Sequence, residues 1–331
     1  MRTKILIGIL ILALGSAIGY FFGKYPFFDL RQKPAIALPS GEESEQPPIL
    51  PPFAVVIENA PEARPQAGLA AADLVMETLA EGGITRYLAI YQSHSAERIG
   101  AVRSLRPYFL EWALGFGLPV AFSGGSKEAL EKLEDQSLGV KALNEFFNER
   151  AFWRDSAKSV PHNLFTSTKL LTDTIKQKGW GEPLLKRGWD TKPKKEIAGT
   201  VPAAEIFIDF SFGLFEVNYQ FDSASNSYLR LQGGQAHTDQ DSGEQIRADN
   251  VVVLYTTSRL LDQKLLTIDL ETLGSGRATI FRDGQVLQAR WRKNSVTEPL
   301  RLVDADGTLV ALNEGSVWIA VVDQEGNVSW K

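Results

Sequence analysis

Glutamate and arginine side chains crowd into two neighbouring stretches of the sequence, and their spacing suggests acid–base or anion-binding chemistry. Glu77 and Glu81 are an even number of positions apart, so an uninterrupted β-strand would place both carboxylates on one face. Two carboxylates on one face can act as acid and base on a glycosidic or similar bond. Arg103 and Arg106 lie three positions apart at the start of a predicted helix. Their forked guanidinium groups suit a carboxylate or phosphate ligand.

The same residues also have a purely structural interpretation, because buried charges need partners and the arginines could pair with Glu77, Glu81 or Asp73. The sequence leaves both interpretations open. The candidate ligand-binding residues are Arg64, Gln66, Arg86, Arg103, Ser104 and Arg106. The candidate catalytic residues are Glu77, Glu81 and His162. His162 follows a proline in a predicted loop, where it could be a general base or a structural hydrogen-bonding residue.

Several kinds of site are not supported by the composition. The sequence has no cysteine and three widely spaced histidines, so thiolate chemistry is excluded and we predict no metal site. No dinucleotide fingerprint follows the first predicted strand and no nucleophile-elbow motif is present, so we predict no cofactor. Ser123-Gly124-Gly125-Ser126 predicts a capped tight turn before a helix; amides that hold an anion are the alternative.

The first 24 residues predict a membrane anchor. Ile5–Gly23 reads ILIGILILALGSAIGYFFG without a charge, and Arg2 and Lys4 precede it. This length is just enough to span a bilayer, and the basic leader places the body on the extracytoplasmic side. The alternative is a signal peptide that is cleaved at the small residues Gly15-Ser16-Ala17, which would release a secreted protein.

Residues 25–52 contain seven prolines and predict an extended tether. Residues 53–190 then alternate apolar strands with helices predicted at Leu105–Phe116, Ser126–Asp135 and Thr166–Gly179, which indicates an α/β domain with a mixed sheet. After a basic stretch around residue 190, residues 200–331 show closely spaced short strands and predict a mostly-β domain. The whole chain has a net charge of −5, which argues against nucleic acid as a partner.

The stretches RPQAGLAAADLVMETLAEGGITRYLAIYQS, IGAVRSLRPYF and VPHNLFTS together resemble the YerB-like family of bacterial cell-envelope proteins. GRATIFRDGQVLQARWRK in the second half agrees with that resemblance. Glu58 and Met76 differ from the family pattern, in which we expect Asp and Tyr. The resemblance implies the two-domain plan and an envelope location, but no reaction. Many family members are lipoproteins, and this sequence lacks the cysteine for that anchor.

Two functions follow as hypotheses. The first is an anchored extracytoplasmic protein that binds a cell-wall component or an envelope protein through an Arg/Glu cleft in the first domain. The second is a hydrolase or lyase that acts on the cell wall and uses Glu77 or Glu81 with His162. Because the two hypotheses share most of their residues, the sequence leaves open whether the protein is an enzyme.

Overall fold

The computed structural model describes residues 50–180, 185–195, 200–264, 267–323 and 327–331. The predicted anchor Ile5–Gly23 and nearly all of the predicted tether lie outside these ranges. Among the helices within the described ranges, none is both long and apolar enough to cross a membrane.

The described residues form three α-helices and twenty-three β-strands. The helices are α1 Pro107–Phe116, α2 Lys127–Glu134 and α3 Thr168–Gln177. The strands of the first half are β1 Phe53–Glu58, β2 Leu74–Glu81, β3 Ile84–Tyr91, β4 Ile99–Gly100, β5 Val120–Phe122, β6 Ala142–Asn144, β7 Trp153–Arg154, β8 Leu164–Thr166 and β9 Asp190–Lys192.

The strands of the second half are β10 Glu205–Asp209, β11 Glu216–Asp222, β12 Ser227–Gln232, β13 Gln235–Ala236, β14 Arg247–Ala248, β15 Asn250–Tyr255, β16 Ser258–Asp262, β17 Thr267–Leu270, β18 Gly274–Arg282, β19 Gln285–Lys293, β20 Arg301–Val303, β21 Ala311–Asn313, β22 Val317–Val322 and β23 Val328–Trp330. Together these elements confirm the predicted fold class, a mixed sheet with helices followed by a mostly-β second half.

Ten strands form the main sheet, in the order β20-β19-β18-β15-β22-β2-β3-β1-β5-β6. Strands β1, β5, β6, β2, β22 and β15 run in the same direction, since β1–β5, β5–β6, β2–β22 and β15–β22 are parallel pairs and β3 is antiparallel to both β1 and β2. We call the side where these six strands end the carboxyl edge, and the opposite side the amino edge. Because β22 pairs with β2, both halves of the chain share this sheet, and the predicted division near residue 190 stays a prediction.

The central strands are apolar on both faces, as expected of strands covered on both sides. One face packs against α1, where Phe109, Trp112 and Phe116 are buried. The other face packs against a second sheet, in the order β13-β12-β11-β10-β23. Each face therefore carries its own hydrophobic core.

Each helix begins one or two residues after its predicted start: α1 at Pro107 instead of Leu105, α2 at Lys127 instead of Ser126, and α3 at Thr168 instead of Thr166. Ser126 caps α2 by accepting a hydrogen bond from the Ala129 amide, and Ser167 caps α3 through the Leu170 amide. These caps satisfy amides that have no partner inside the helix. Gly82-Gly83 form the turn of the hairpin that joins β2 to β3, and both glycines have positive φ values of 62° and 74°, which glycine adopts without strain.

Candidate functional site

A β-bulge separates the two glutamates that the sequence predicts to share a face. In the β2–β3 hairpin Glu77 is paired with Tyr87, but the register shifts after Leu79, so that Glu81 is paired with Ile84. The extra residue, Ala80, reverses the alternation of side chains. Glu81 therefore lies on the same face as Arg86, and Glu77 lies on the opposite face. The prediction that Glu77 and Glu81 face one side is wrong for this reason.

Glu77 belongs to a buried polar network between the two sheets. Its Oε2 accepts a hydrogen bond of 2.6 Å from Arg230 Nη2, a residue of β12 in the second sheet. Its Oε1 accepts hydrogen bonds from Thr85 Oγ1 (2.8 Å) and from Asn59 Nδ2 (3.4 Å). Glu77 and Arg230 are 1% and 0% exposed. Both carboxylate oxygens are thus occupied and shielded from solvent, which indicates a structural ion pair.

Two of the predicted ligand-binding residues, Arg64 and Gln66, also belong to this network. Arg64 Nε donates to Asn59 Oδ1 at 3.0 Å, and Gln66 Nε2 donates to the same oxygen at 2.9 Å. His237 connects Gln66 to Arg230. Its Nε2 lies 2.9 Å from Gln66 Oε1, and its Nδ1 contacts Arg230 Nη1. Burial, reinforced by the charges of Arg230 and Arg64, holds the pKa of His237 well below its usual value. His237 is therefore neutral, with its proton on Nε2 and Nδ1 accepting from the arginine.

Glu81 gathers two predicted arginines on the other face of the sheet. Arg86 Nη2 lies 2.7 Å from Glu81 Oε1, and Arg106 Nη2 lies 2.5 Å from Glu81 Oε2. Burial opposes ionisation of Glu81, but the charges of Arg86 and Arg106 outweigh it, and the pKa of Glu81 lies below its usual value. Arg86 Nη1 also donates to the main-chain oxygen of Ser104 at 3.0 Å, which ties β3 to the segment before α1.

Glu58, the last residue of β1, connects this ion cluster to the carboxyl edge. Its Oε1 lies 3.9 Å from Arg86 Nη2. Its Oε2 lies 3.0 Å from His162 Nδ1 and 2.9 Å from Arg103 Nε, the latter as an ion pair rather than an aligned hydrogen bond. Glu58 is almost fully buried, whereas the side chains of Arg103 and His162 keep 29% and 17% exposure. Glu58 thus holds a cation and an imidazole at the rim of the sheet.

The ends of β5 and β6 extend this arrangement. The Ser123 amide donates to the Arg103 main-chain oxygen at 3.1 Å, and Ser123 Oγ donates to Glu145 Oε2 at 2.5 Å. Glu145 Oε1 accepts from Arg154 Nη2 at 2.7 Å, and Arg154 Nη1 donates to Asn163 Oδ1 at 3.0 Å. Asn163 follows His162 in the chain, and His162 contacts Glu58. The contacts therefore form a closed ring.

We call this closed set the strand-end ring; it comprises Glu58, Arg103, Ser123, Glu145, Arg154, His162 and Asn163. Glu58, Ser123 and Glu145 lie at or directly after the carboxyl ends of the parallel strands β1, β5 and β6. Ligands of open α/β sheets commonly bind at such an edge.

Exposed aromatic side chains border the strand-end ring. Phe146 and Phe147, directly after Glu145, are 63% and 84% exposed. The Phe146 ring covers Gly124, where an added Cβ would lie 3.2 Å from the ring. The edge therefore combines partly exposed cations with apolar rings. Within the described residues no group of acidic or histidine side chains is arranged to hold a metal ion.

The structure brings together most, but not all, of the predicted cluster. Glu81, Arg86, Arg103 and Arg106 are connected through direct ion pairs or through Glu58, and His162 joins them. Three other candidates, Glu77, Arg64 and Gln66, belong to the buried network on the other face. Ser104 contributes only its main-chain oxygen, which accepts from Arg86.

Sequence reasoning missed the ring members Glu58, Glu145, Arg154 and Asn163 as site residues, and it named Ser123 only as part of a tight turn or an anion-holding loop. Glu58 ends the otherwise apolar run FAVVIE, which was the available indication of a strand-end position; Glu145 follows Asn144 and had no comparable indication.

Two family models match separate parts of the chain. Residues 39–181 match the family model described as "Protein of unknown function (DUF3048) N-terminal domain", and residues 208–319 match the corresponding C-terminal domain. A protein of Bacillus subtilis (strain 168) named "Putative lipoprotein YerB" is 34% identical over 281 residues, which cover 82% of this chain and 81% of that protein. The crystal structure of YerB protein from Bacillus subtilis has a TM-score of 0.75 at 28% identity and covers 88% of this chain and 97% of that chain. These matches confirm the resemblance to the YerB-like family.

Proposed function

Because this chain belongs to the DUF3048 family of proteins of unknown function, we propose that it is an extracytoplasmic protein of the cell envelope that binds an anionic ligand at the strand-end ring. The relative from Bacillus subtilis is named as a lipoprotein, which supports an anchored protein outside the cytoplasm. The sequence of this chain has no cysteine to carry the lipid. In this proposal Ile5–Gly23 serves as a single-pass anchor in its place.

The observation that carries the binding proposal is the exposure of cations within the strand-end ring. The side chains of Arg103 and Arg154 are 29% and 44% exposed, although each is held by a carboxylate. An arginine that is fixed on one side and open on the other loses little conformational freedom when it binds a carboxylate or phosphate. The ligand in this proposal is a wall-derived fragment that carries such a group.

The adjacent aromatic side chains favour a ligand that also has an apolar or ring-shaped part. Phe146 and Phe147 stand in solvent at the border of the ring, where a sugar ring or an aliphatic chain could cover them. Large exposed aromatic side chains in adjacent positions are a recognised feature of interaction sites. A charged group on the arginines and an apolar face on the phenylalanines would fix both the position and the orientation of the ligand.

One geometric feature favours a second candidate function, a hydrolase. Glu58 Oε2 contacts His162 Nδ1 at 3.0 Å, and within the described residues His162 Nε2 makes no hydrogen bond. A carboxylate that orients an imidazole leaves the other nitrogen available as a general base toward water. Glu77, which is buried and fully paired, has no place in this reaction. The hydrolase would use His162 as the base and Glu58 as the positioning residue.

The two functions are separated by incubating the full-length protein in detergent with purified peptidoglycan and measuring retention and released fragments. For binding alone, we expect retention without release, and about tenfold weaker retention for Arg154→Gln, because one charge-assisted contact is lost. Arg259→Gln is the matched control, since Arg259 is 74% exposed on β16 and lies outside the ring.

Release of fragments that disappears in His162→Gln would favour the hydrolase over simple binding. Equal retention of the wild type, Arg154→Gln and Arg103→Gln would remove the strand-end ring as the binding site. Loss of retention in the Arg259→Gln control as well would show that binding depends on the overall charge and not on the ring.

A further inference from the structure

An exposed apolar surface follows β6, which is an edge strand of the main sheet. Phe146 and Phe147 are 63% and 84% exposed there. A buried aromatic side chain contributes about 150–250 Å², so these exposed fractions amount to roughly 300 Å² of surface. Because a standard protein interface buries about 800 Å² per partner, the two phenylalanines would supply roughly a third of one.

The segment that carries the two phenylalanines is held in place by the fold. Asn148 Nδ2 donates to the Asn144 main-chain oxygen at 2.8 Å, and Thr166 Oγ1 of β8 donates to the Ala151 main-chain oxygen at 2.7 Å. Ala151 itself is buried in the hydrophobic core. A surface that is ordered before it binds loses little conformational entropy on association. The phenylalanines therefore belong to a preformed contact surface.

A recess of about 420 Å³ lies beside the two rings, and both phenylalanines help to line it. The end of α3 and the residue directly after it contribute the side chains of Thr174, Gln177 and Lys178, whose stems are partly apolar. A cavity of about 150 Å³ is enough to hold a benzene molecule, so the recess has room for a phenylalanine ring. The same surface thus carries protruding rings and a hollow that can receive one.

The lining of the recess carries charges of both signs. Glu149 and Arg150 are adjacent and exposed, and neither side chain makes an ion pair or hydrogen bond within the described residues. Lys178, the third charged side chain of the lining, lies over the Trp180 ring at 5.3 Å. A partner of one charge sign, such as an anionic lipid surface, would meet a like charge at Glu149. A second copy of the chain brings the complement of both signs.

We propose that this surface is a twofold interface between two copies of the chain. Phe147 of each copy enters the recess of the other, and a twofold axis that passes between the charged side chains sets Glu149 of each copy against Arg150 of the other. This inference goes beyond the binding proposal and does not rest on it. Because the interface covers both phenylalanines, a ligand that uses these rings would compete with the second copy.

Sedimentation velocity of the full-length protein in detergent, over the micromolar range, measures the equilibrium between monomer and dimer. We expect the wild type to form dimers. Phe147→Ser should raise the dissociation constant at least about a hundredfold, because each dimer loses two buried rings. Phe147 is largely exposed in the single chain, so the circular dichroism and thermal midpoint of the variant should match those of the wild type.

Charge reversal tests the twofold pairing itself. Glu149→Arg and Arg150→Glu should each weaken the dimer about tenfold or more, since each variant sets like charges against each other twice. An equimolar mixture of the two variants should recover dimers, because both contacts of the mixed pair join opposite charges. Glu205→Arg and Arg259→Glu, which reverse exposed charges of surface pairs elsewhere, are the matched controls and should dimerise like the wild type.

Three results would overturn the proposal. The wild type could stay monomeric at submillimolar concentration, or its dimers could persist unchanged in Phe147→Ser, which would place the contact elsewhere in the chain. The mixture of the two charge-reversed variants could also stay as dissociated as each variant alone. Equal weakening of the dimer by the two control variants would contradict this interface as well, because the effect would then reflect net charge only.

Discussion

Arg230→Met is expected to destabilise the fold strongly, because it leaves the Glu77 carboxylate buried without its cation. Arg230 and Glu77 are 0% and 1% exposed, and Nη2 and Oε2 are 2.6 Å apart. Breaking a buried pair from one side typically costs about 3–5 kcal/mol. The variant also removes donors from Tyr219 and Gln232, at 3.3 and 3.2 Å. We therefore expect a loss of at least about 3 kcal/mol.

Arg103→Met is the matched variant on the other face of the sheet. Its partner Glu58 keeps His162 at 3.0 Å and Arg86 at 3.9 Å when Arg103 is removed. The Arg103 side chain is also 29% exposed, and partly solvated ion pairs contribute about 0–1 kcal/mol. We expect Arg103→Met to cost roughly 1 kcal/mol, so the two arginine variants should differ by several-fold in their effect on stability.

Urea unfolding of the full-length protein in detergent, followed by tryptophan fluorescence, measures both effects. With a slope of about 3 kcal/mol per M urea, Arg230→Met should lower the midpoint by roughly 1 M or more. Adding Glu77→Gln to Arg230→Met should recover part of this loss, because the stranded carboxylate becomes neutral. An Arg230→Met midpoint within 0.3 M (~1 kcal/mol) of the wild type would refute the structural role of the pair, and it would make Glu77 available again as a functional carboxylate.

The pKa of His237 is lowered on folding, so below about pH 6.5 the unfolded chain binds a proton that the folded chain does not, and stability should fall by up to ~1.4 kcal/mol per pH unit. His237→Gln should flatten that dependence in unfolding measured from pH 7 to pH 5, and parallel curves would contradict a neutral buried imidazole. A reporter that is active only outside the cytoplasm should be active when fused after Lys331, and a cytoplasmic signal would contradict the N-in, body-out topology. Limited proteolysis should cut first within residues 25–52 and next near residues 186–200; early cleavage within β3, a central strand, would contradict the predicted order.

The layer architecture could be predicted from the sequence because its determinants are local. Apolar runs such as Phe53–Glu58 form strands that are buried along their whole length. Ser126 and Ser167 indicate helix starts through the chemistry of their own side chains. Gly82-Gly83 specifies a hairpin because glycine adopts positive φ. Each of these features depends on a few neighbouring residues, so the sequence alone is sufficient to predict it.

The site could be predicted only in part, because its geometry depends on contacts between distant residues. The partner of Glu77 is Arg230, which lies 153 positions away and belongs to the second sheet. No residue type in the hairpin sequence indicates the bulge at Ala80, yet this bulge determines on which face of the sheet Glu81 lies. Glu145 and Arg154 join the strand-end ring only because β1, β5 and β6 lie side by side, and strand order is not encoded in any single stretch.

The strand-end ring and the buried network around Glu77 are connected through Glu58, the last residue of β1, and its neighbour Asn59. Glu58 faces the strand-end ring, and its neighbour Asn59 faces the buried network with a hydrogen bond of 2.6 Å to Thr85. Gln66 Nε2 joins them, since it donates both to the Glu58 main-chain oxygen at 3.1 Å and to Asn59 Oδ1 at 2.9 Å. The buried network therefore fixes the backbone that carries Glu58. Because Glu58 in turn holds Arg103 and His162, the network that stabilises the fold also orients the exposed groups with which we propose the protein binds its ligand.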